Sequence, residues 1–249
     1  MDTFWEKKMA ESDLEKQEAM RRWYDEGDYF DSKADVFEDF DNPFQLYRLS
    51  KVLQIYKPNE TERVLDLGCG WGTFTIALAP ICKEVVGVDY SQKSVDFCDR
   101  FASKMGYDNL RFVTADASDT GLADGYFDVV ISADLFEHLY PEVSIGTIRE
   151  SFRVLKPGGK FVIWTPHRGH FIEHMKNNNI IIKKDPAHIG YKKMSWLIEH
   201  LEECGFEIEK SYYAESHVPI LRTIESMLLK FVPLLRRRIA ILAIKPLLD

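Results

Sequence analysis

The residues of this 249-residue chain that are best suited to chemistry fall in three places. The first is Val64-Leu65-Asp66-Leu67-Gly68-Cys69-Gly70-Trp71-Gly72, an apolar run that enters three alternate glycines and then a helical pattern. Alternate glycines permit a sharp turn and let a ligand approach the backbone with no Cβ in the way, while the following helix offers N–H groups to that ligand. Seventeen residues after Gly72, the run Val85-Val86-Gly87-Val88 ends in Asp89, whose carboxylate can accept both hydroxyls of a ribose. Turn and acid together specify a nucleoside-containing ligand. In the second place, Asp134, Glu137 and His138 stand at i, i+3 and i+4, a spacing that gathers two carboxylates and an imidazole on one face of a helix start. Such groups move protons or hold a divalent cation. The third place, from Pro166 to Lys193, holds four of the seven histidines: His167, His170, His174 and His188. Each is a candidate base, and each also has the ordinary alternative of a structural or surface role.

These residues need elements to position them. After Lys57-Pro58 the pattern alternates: strand Arg63 to Leu67, helix from Thr73, strand Glu84 to Asp89, and a helix from Ser91, a good N-cap, to Met105, stopped by Gly106. Next come strands Leu110 to Thr114 and Phe127 to Ala133, a helix within Ser144 to Leu155, the turn Lys156-Pro157-Gly158-Gly159 and strand Lys160 to Thr165. A helix from Ser195 to Cys204, a strand from Phe206 to Tyr213 and a last strand from Ile239 to Ile244 complete the series. Such alternation predicts a parallel sheet covered on both faces, with ligands at the carboxyl ends of its strands. Ahead of it, residues 1 to 45 read as a helical cap: a Glu-, Lys-, Met- and Trp-rich stretch, an aromatic and acidic stretch containing Tyr29, then Asn42-Pro43 opening a helix. Tyr24 and Tyr29 stand within reach of a ligand in that reading, with aromatic packing as the alternative.

The glycine spacing separates two cofactor classes. A dinucleotide site uses G-x-G-x-x-G, which places Thr73 where the third small residue belongs. The third glycine instead falls one residue early, at Gly72, and the nine residues resemble the first motif of the class I S-adenosylmethionine-dependent methyltransferases. Asp89-Tyr90, Thr114-Ala115-Asp116-Ala117 and Phe127 to Leu139 extend the resemblance across roughly residues 46 to 213 as four ordered matches. It implies an α/β, Rossmann-like, doubly wound sheet of seven strands. The last strand is antiparallel, between the fifth and sixth, and the domain spans residues 46 to 249 with an acceptor-side loop at 166–193 and a helical lid at 214–236.

The resemblance also assigns roles. Gly68, Cys69 and Gly70 would hold the methionine part of S-adenosylmethionine, with Asp66 directed toward its amino group and the backbone at Ala133 touching the same group. Asp89 would bind the ribose, Tyr90 would pack on the adenine, and Asp116 with Ala117 would meet the adenine amine. Asp134, Glu137 and His138, with His188 in the position of a fourth ligand, resemble the quinone-pathway O-methyltransferases and the small-RNA 2′-O-methyltransferases, which implies magnesium or manganese. Those families carry Glu where this chain has Asp134. Without a metal, His138, His188 and Glu137 remain as catalytic groups, His188 being the general base. The expected activity is methyl transfer to a small or lipid-like acceptor, at a hydroxyl oxygen. The alternatives are carbon or nitrogen methylation, since the cyclopropane fatty-acid synthase group shares Gly-Cys-Gly-Trp-Gly, and non-catalytic S-adenosylmethionine binding.

Composition sets the remaining bounds. The net charge of −8 is carried by residues 1 to 41, with fourteen acidic and six basic side chains, and Arg222 to Lys245 holds six basic residues against Glu225 alone. An acidic front and a basic tail argue against broad nucleic-acid binding and leave a local contact with anionic lipid. Ile220, Leu221, Ile224, Met227, Leu228 and Phe231 recur at helical spacing just before Arg236-Arg237-Arg238, so residues 219–238 read as a lid whose basic end meets a membrane, or as a helix packed on the domain. No run approaches the ~18 apolar residues of a span, the first residues lack a basic-then-apolar leader, and Cys69, Cys82, Cys98 and Cys204 have neither metal-ligand nor disulfide-scaffold spacing. A cytoplasmic protein, peripheral to the membrane if the lid docks there, is the expectation.

Overall fold

The computed structural model describes residues 12–26, 41–178, 187–217 and 219–247. Tyr29 and most of its aromatic and acidic stretch, the first eleven residues, and Asp185-Pro186 lie outside these.

Runs such as Val64-Leu65, Val85-Val86 and Val129-Val130-Ile131 are apolar at consecutive positions, so both faces of the strands they form must be covered. They build β1 (Arg63–Leu67), β2 (Glu84–Asp89) and β4 (Phe127–Ala133), joined by β3 (Leu110–Thr114), β5 (Leu155–Pro166), β6 (Glu207–Ala214) and β7 (Arg238–Ile244). The seven strands lie in the order β3-β2-β1-β4-β5-β7-β6. β7 runs antiparallel to β5 and β6, and the other neighbouring pairs are parallel. Period-two alternation then divides the core. Leu65, Leu67, Val86, Val88, Val130, Phe161, Ile163 and Ile241 face one apolar layer, and Val64, Val85, Val129, Ile131, Val162, Trp164 and Leu242 face the other.

Helices close both layers. On the first, α5 (Pro141–Val154) and α7 (Met194–Glu203) bury Ile148, Val154, Leu197 and Leu201; on the second, α2 (Pro43–Ile55) and α3 (Thr73–Leu78) bury Val52, Ile55, Phe74 and Leu78. The α2 start follows the expected chemistry, Asn42 accepting the Phe44 N–H with Pro43 in the first turn. Likewise α4 (Gln92–Met105) is capped by Ser91 and ended by a left-handed Gly106. Ahead of the sheet lies α1 (Asp13–Glu26); α6 (Phe171–Asn177) and α8 (Pro219–Leu228) occupy the later connections.

Four expectations are corrected. The helix expected to begin near Asp134 does not: Asp134 takes a left-handed φ of 58°, a single 3-10 turn follows at Phe136–His138, and α5 begins at Pro141, where a missing N–H costs nothing. Lys156 to Gly159 is no separate turn before a strand, because Leu155 pairs with Phe127 and a register shift absorbs the extra residues. The apolar stretch from Pro219 to Leu235 is helical only to Leu228, with a 3-10 turn at Pro233–Leu235. The Arg236-Arg237-Arg238 run is not a free basic end, because Arg237 and Arg238 are buried where β7 begins.

Candidate functional site

β2 and β4 flank β1 on opposite sides, and the chain leaves their carboxyl ends in opposite directions, so a crevice opens there by topology. A cavity of about 420 Å³ occupies it, within the usual size range for a small-molecule site. Its walls belong to two chemically different halves.

The first half is the glycine turn. Gly68, Gly70 and Gly72 all have positive φ, and a Cβ on Gly68 would stand 2.8 Å from Leu135, so the turn closes only with glycine. The N–H groups of Gly68 and Cys69 donate to the Val88 carbonyl at 2.8 and 3.0 Å, locking the turn onto the end of β2. Asp89 fastens it from the other side, accepting the Gly70 N–H at 2.9 Å on one oxygen and the Ser91 N–H at 3.0 Å on the other. Burial pushes the Asp89 carboxyl up to about 6, against the pull of those two bonds, and the charge of Asp25 adds to the rise. Gly68, Cys69, Gly70, Asp89, Tyr90 and Ala133 all line the cavity. Asp116 and Ala117 line a narrow annex shared with Gly68, Tyr90 and Leu135. Asp116 also accepts the Ser118 N–H at 2.7 Å.

Asp66 departs from this group. Its carboxylate is buried and accepts the N–H and hydroxyl of Thr75, at 3.1 and 2.6 Å, and the residue does not line the cavity. A carboxylate inside the sheet needs donors, and the first turn of α3 supplies them, so Asp66 splices α3 to β1.

The second half carries acid–base groups. Glu137, in the 3-10 turn after β4, is buried and accepts the Thr165 hydroxyl at 2.9 Å. Burial, then the charge of Asp134, pushes its carboxyl up to about 8. Beside it, Nδ1 of His138 lies 3.0 Å from both the Ala187 carbonyl oxygen and the Tyr24 hydroxyl. A carbonyl only accepts, so Nδ1 carries the proton, and in the neutral ring Nε2 does not. The same logic fixes His188. The Tyr191 hydroxyl donates to Glu173 at 2.6 Å, so its oxygen must accept, at 2.8 Å, from Nδ1 of His188, again leaving Nε2 as the basic nitrogen. Glu173 is buried and paired with Arg237, which fixes the far end of the relay.

Sequence separates His188 from His138 by fifty residues, and two contacts bring them together. The Gly190 N–H donates to the Glu137 carbonyl at 2.8 Å, an approach that any Cβ would forbid, since it would fall 1.8 Å from the Leu139 oxygen. The Lys192 ammonium then donates to the Leu139 carbonyl at 2.6 Å, closing the 3-10 turn from the same side. The two imidazoles come edge to face with centroids 4.9 Å apart, and Glu137, His138 and His188 each place a ligand-type atom within 4.8 Å of the others. His167, His170 and His174 do not join this group.

Asp134, expected in the same cluster, points elsewhere. Its left-handed backbone turns the carboxylate to Arg48, at 2.8 Å, and to Arg238. Burial opposes its ionisation, but the two guanidinium groups outweigh that and hold its carboxyl down at about 2. Arg48, Arg237 and Arg238 therefore line the cavity with little exposure, and sequence reading gave none of them a role there. Arg48 looks like any polar position of an amphipathic helix. The other two look like a surface basic run.

The cap helix α1 covers both halves. The Tyr24 ring lies edge-on to Tyr90 with centroids 5.6 Å apart while its hydroxyl meets His138. Gln17 donates to the His138 carbonyl and accepts the Tyr140 N–H, and the Ser91 hydroxyl donates to Asp25 at 2.6 Å.

Residues 58–213 match a protein family described as a methyltransferase domain. The chain is 38% identical over 120 residues to a demethylmenaquinone methyltransferase of Clavibacter sepedonicus, covering 48% of this chain and 46% of that protein. It is 36% identical over 105 residues to a fatty-acid O-methyltransferase of Mycolicibacterium smegmatis, covering 41% and 36%. The chain spans between about a third and two thirds of the length of the curated relatives it matches. Among solved structures, phosphoethanolamine N-methyltransferase 2 of Haemonchus contortus, in complex with S-adenosyl-L-methionine, superposes with a TM-score of 0.69 over 91% of this chain and 60% of that one. At 18% identity, that likeness shows the fold.

Proposed function

Because this chain belongs to the methyltransferase-domain family, we propose that it transfers a methyl group from S-adenosylmethionine to a hydroxyl oxygen of a small or lipid-like acceptor. One observation carries the reading: a single cavity joins a nucleoside-accepting turn to a histidine whose tautomer leaves a basic nitrogen. The fatty-acid and quinone relatives support the lipid-like class.

The residues present fit the cofactor. Asp89 offers a carboxylate for a ribose, already oriented by two backbone bonds. A Cβ on Gly70 would meet nothing within 4 Å, which leaves its backbone open to a ligand. Tyr90, Asp116 and Ala117 would accept the adenine, and Arg48, the cavity-lining guanidinium contributed by α2, would hold the carboxylate of the methionine part. S-adenosylmethionine supplies an electrophilic sulfonium methyl, so no covalent protein nucleophile is required. What the chain must do is align the acceptor, exclude water and take its proton. Nε2 of His188 takes the proton, while Tyr191 and Glu173 hold the ring in its tautomer and stabilise the imidazolium that forms. Burial raises the Glu137 carboxyl, which favours its neutral form beside that imidazolium. The cap helix adds Tyr24 to the cavity wall.

A second reading rests on the spacing of Glu137, His138 and His188, which a magnesium or manganese ion would bridge. The fit is incomplete. Asp134 is committed to two arginines and stands outside the three-residue group. Calorimetric titration with S-adenosylmethionine, followed by methyl transfer to a panel of phenolic, sugar and fatty acceptors, tests the first reading. Dialysis against a chelator then separates the two. Retained activity supports His188 as the base, and activity lost and restored by magnesium or manganese supports the metal.

A further inference from the structure

Surface helices normally turn an apolar stripe inward. Helix α8 does the reverse. Its apolar positions Ile220, Ile224, Met227 and Leu228, continued by Phe231, Val232 and Leu234, are exposed, Ile220 by 79%, Met227 by 71% and Phe231 by 80%. The side chain it buries is the acidic Glu225, at 0% exposure. One Glu225 oxygen lies 2.8 Å from Nε2 of the buried His170, and the other accepts the Ser216 N–H. Nδ1 of His170 accepts the Ile172 N–H at 3.2 Å, so the proton of this ring sits on Nε2 and is donated to Glu225. A buried, satisfied polar pair thus fixes the rotation of α8 and holds its apolar face toward solvent.

The charges beside that face name its occupant. Arg222 and Lys230 are exposed and Arg236 is partly so, stacked 4.7 Å over Tyr213, while the sole acid between residues 219 and 236 is the buried Glu225. This basic rim belongs to a chain whose net charge is −8. A second copy fits poorly, because a two-fold contact through residues 219–236 would bring two basic rims together with no exposed acid among those residues to answer them. An anionic bilayer surface answers both the apolar stripe and the basic rim. The position also suits delivery of a lipid: His217 and Arg237, at the two ends of this insertion, line the cavity.

We propose that residues 220–236 form a docking surface for an anionic lipid bilayer, through which Ile220, Ile224, Met227 and Phe231 enter the acyl boundary while Arg222, Lys230 and Arg236 meet lipid headgroups. The contact requires no catalysis. The test is flotation of the full chain with phosphatidylcholine vesicles, with and without phosphatidylglycerol. Binding is expected only with phosphatidylglycerol and is weakened by high salt. The double variant M227S/F231S should lose binding roughly a hundredfold, about tenfold for each large side chain no longer buried. R222Q/K230Q should weaken it about tenfold or more and flatten the salt dependence. Because all four residues are exposed, thermal melting should match the unaltered protein. Failure to float with anionic vesicles, or unchanged flotation of M227S/F231S, overturns the proposal; so does a solution dimer that this double variant abolishes. S-adenosylmethionine titration of the same samples reports on the cofactor reading separately.

Discussion

Asp89→Ala is the sharpest perturbation of the nucleoside half. The carboxylate already accepts two backbone N–H groups, one on each oxygen, and lines the cavity, so little side-chain freedom is left to be lost on binding. Hydrogen bonds to a charged acceptor are worth ~1.5–3 kcal/mol each. Losing those to a ribose, partly relieved by water entering the vacated space, should cost about 2–4 kcal/mol, roughly thirty- to a thousandfold in Kd for S-adenosylmethionine. The raised carboxyl adds an independent signature. Burial places its midpoint at about 6 in the ligand-free protein, and the ionised form accepts ribose hydroxyls far more strongly than the acid does. Affinity is therefore greatest well above pH 6 and falls as pH drops through it, by up to about tenfold per unit. Asp89→Asn should remove that pH dependence, and Asp25→Asn should move the midpoint down, because the Asp25 charge helps raise it. Calorimetric titration from about pH 5 to pH 8 measures all of this. An Asp89→Ala protein with unchanged affinity, or a flat pH profile in the unaltered chain, refutes the placement of the ribose.

Other outcomes follow from the acid–base half. His188→Ala should lower kcat by about 10²–10⁴-fold with the cofactor Kd unchanged, as removal of a general base does. Tyr191→Phe deletes the acceptor of the His188 Nδ1–H and leaves the ring size intact, so kcat should fall about tenfold. Asp134→Asn leaves the buried Arg48 and Arg238 without their shared counterion, and chemical denaturation should register a loss of about 3 kcal/mol or more.

The glycine turn, Asp89 and the caps at Asn42, Ser91 and Gly106 were legible because each is a local requirement: a φ, a nearby N–H, a period of two or 3.6. The strands followed from the apolar runs, and the place of the last one, between the fifth and sixth, from the family resemblance. What failed was the assumption that local spacing persists where the backbone leaves regular structure. The spacing of Asp134, Glu137 and His138 presumed a helix, and a left-handed Asp134 turned its carboxylate to Arg48 and Arg238 instead. Arg48, Arg237 and Arg238 acquired their place from that carboxylate and from Glu173, partners far away in sequence. The same holds for α8. Its apolar stripe is plain in the sequence, but the direction it faces depends on Glu225 meeting a histidine fifty-five residues away.

Tyr24 gives the cap helix a testable role beyond coverage, because one side chain touches both halves of the cavity. Its ring packs on Tyr90, beside the adenine position, and its hydroxyl shares the His138 Nδ1 proton with Ala187. Removing only the hydroxyl separates these functions. Tyr24→Phe keeps the ring contact and should leave cofactor affinity within about twofold, since an edge-on aromatic pair depends on the ring. It also removes one of two oxygens orienting His138, which in turn stands 4.9 Å from His188, so kcat should fall severalfold while KM for the cofactor stays level. Tyr24→Ala should raise the cofactor Kd as well, by about the 0.5–1.5 kcal/mol an aromatic pair contributes together with the area it covers. Equal losses in Kd for both variants would mean that the hydroxyl serves the cofactor side, and the coupling of the cap to the base through His138 would be wrong.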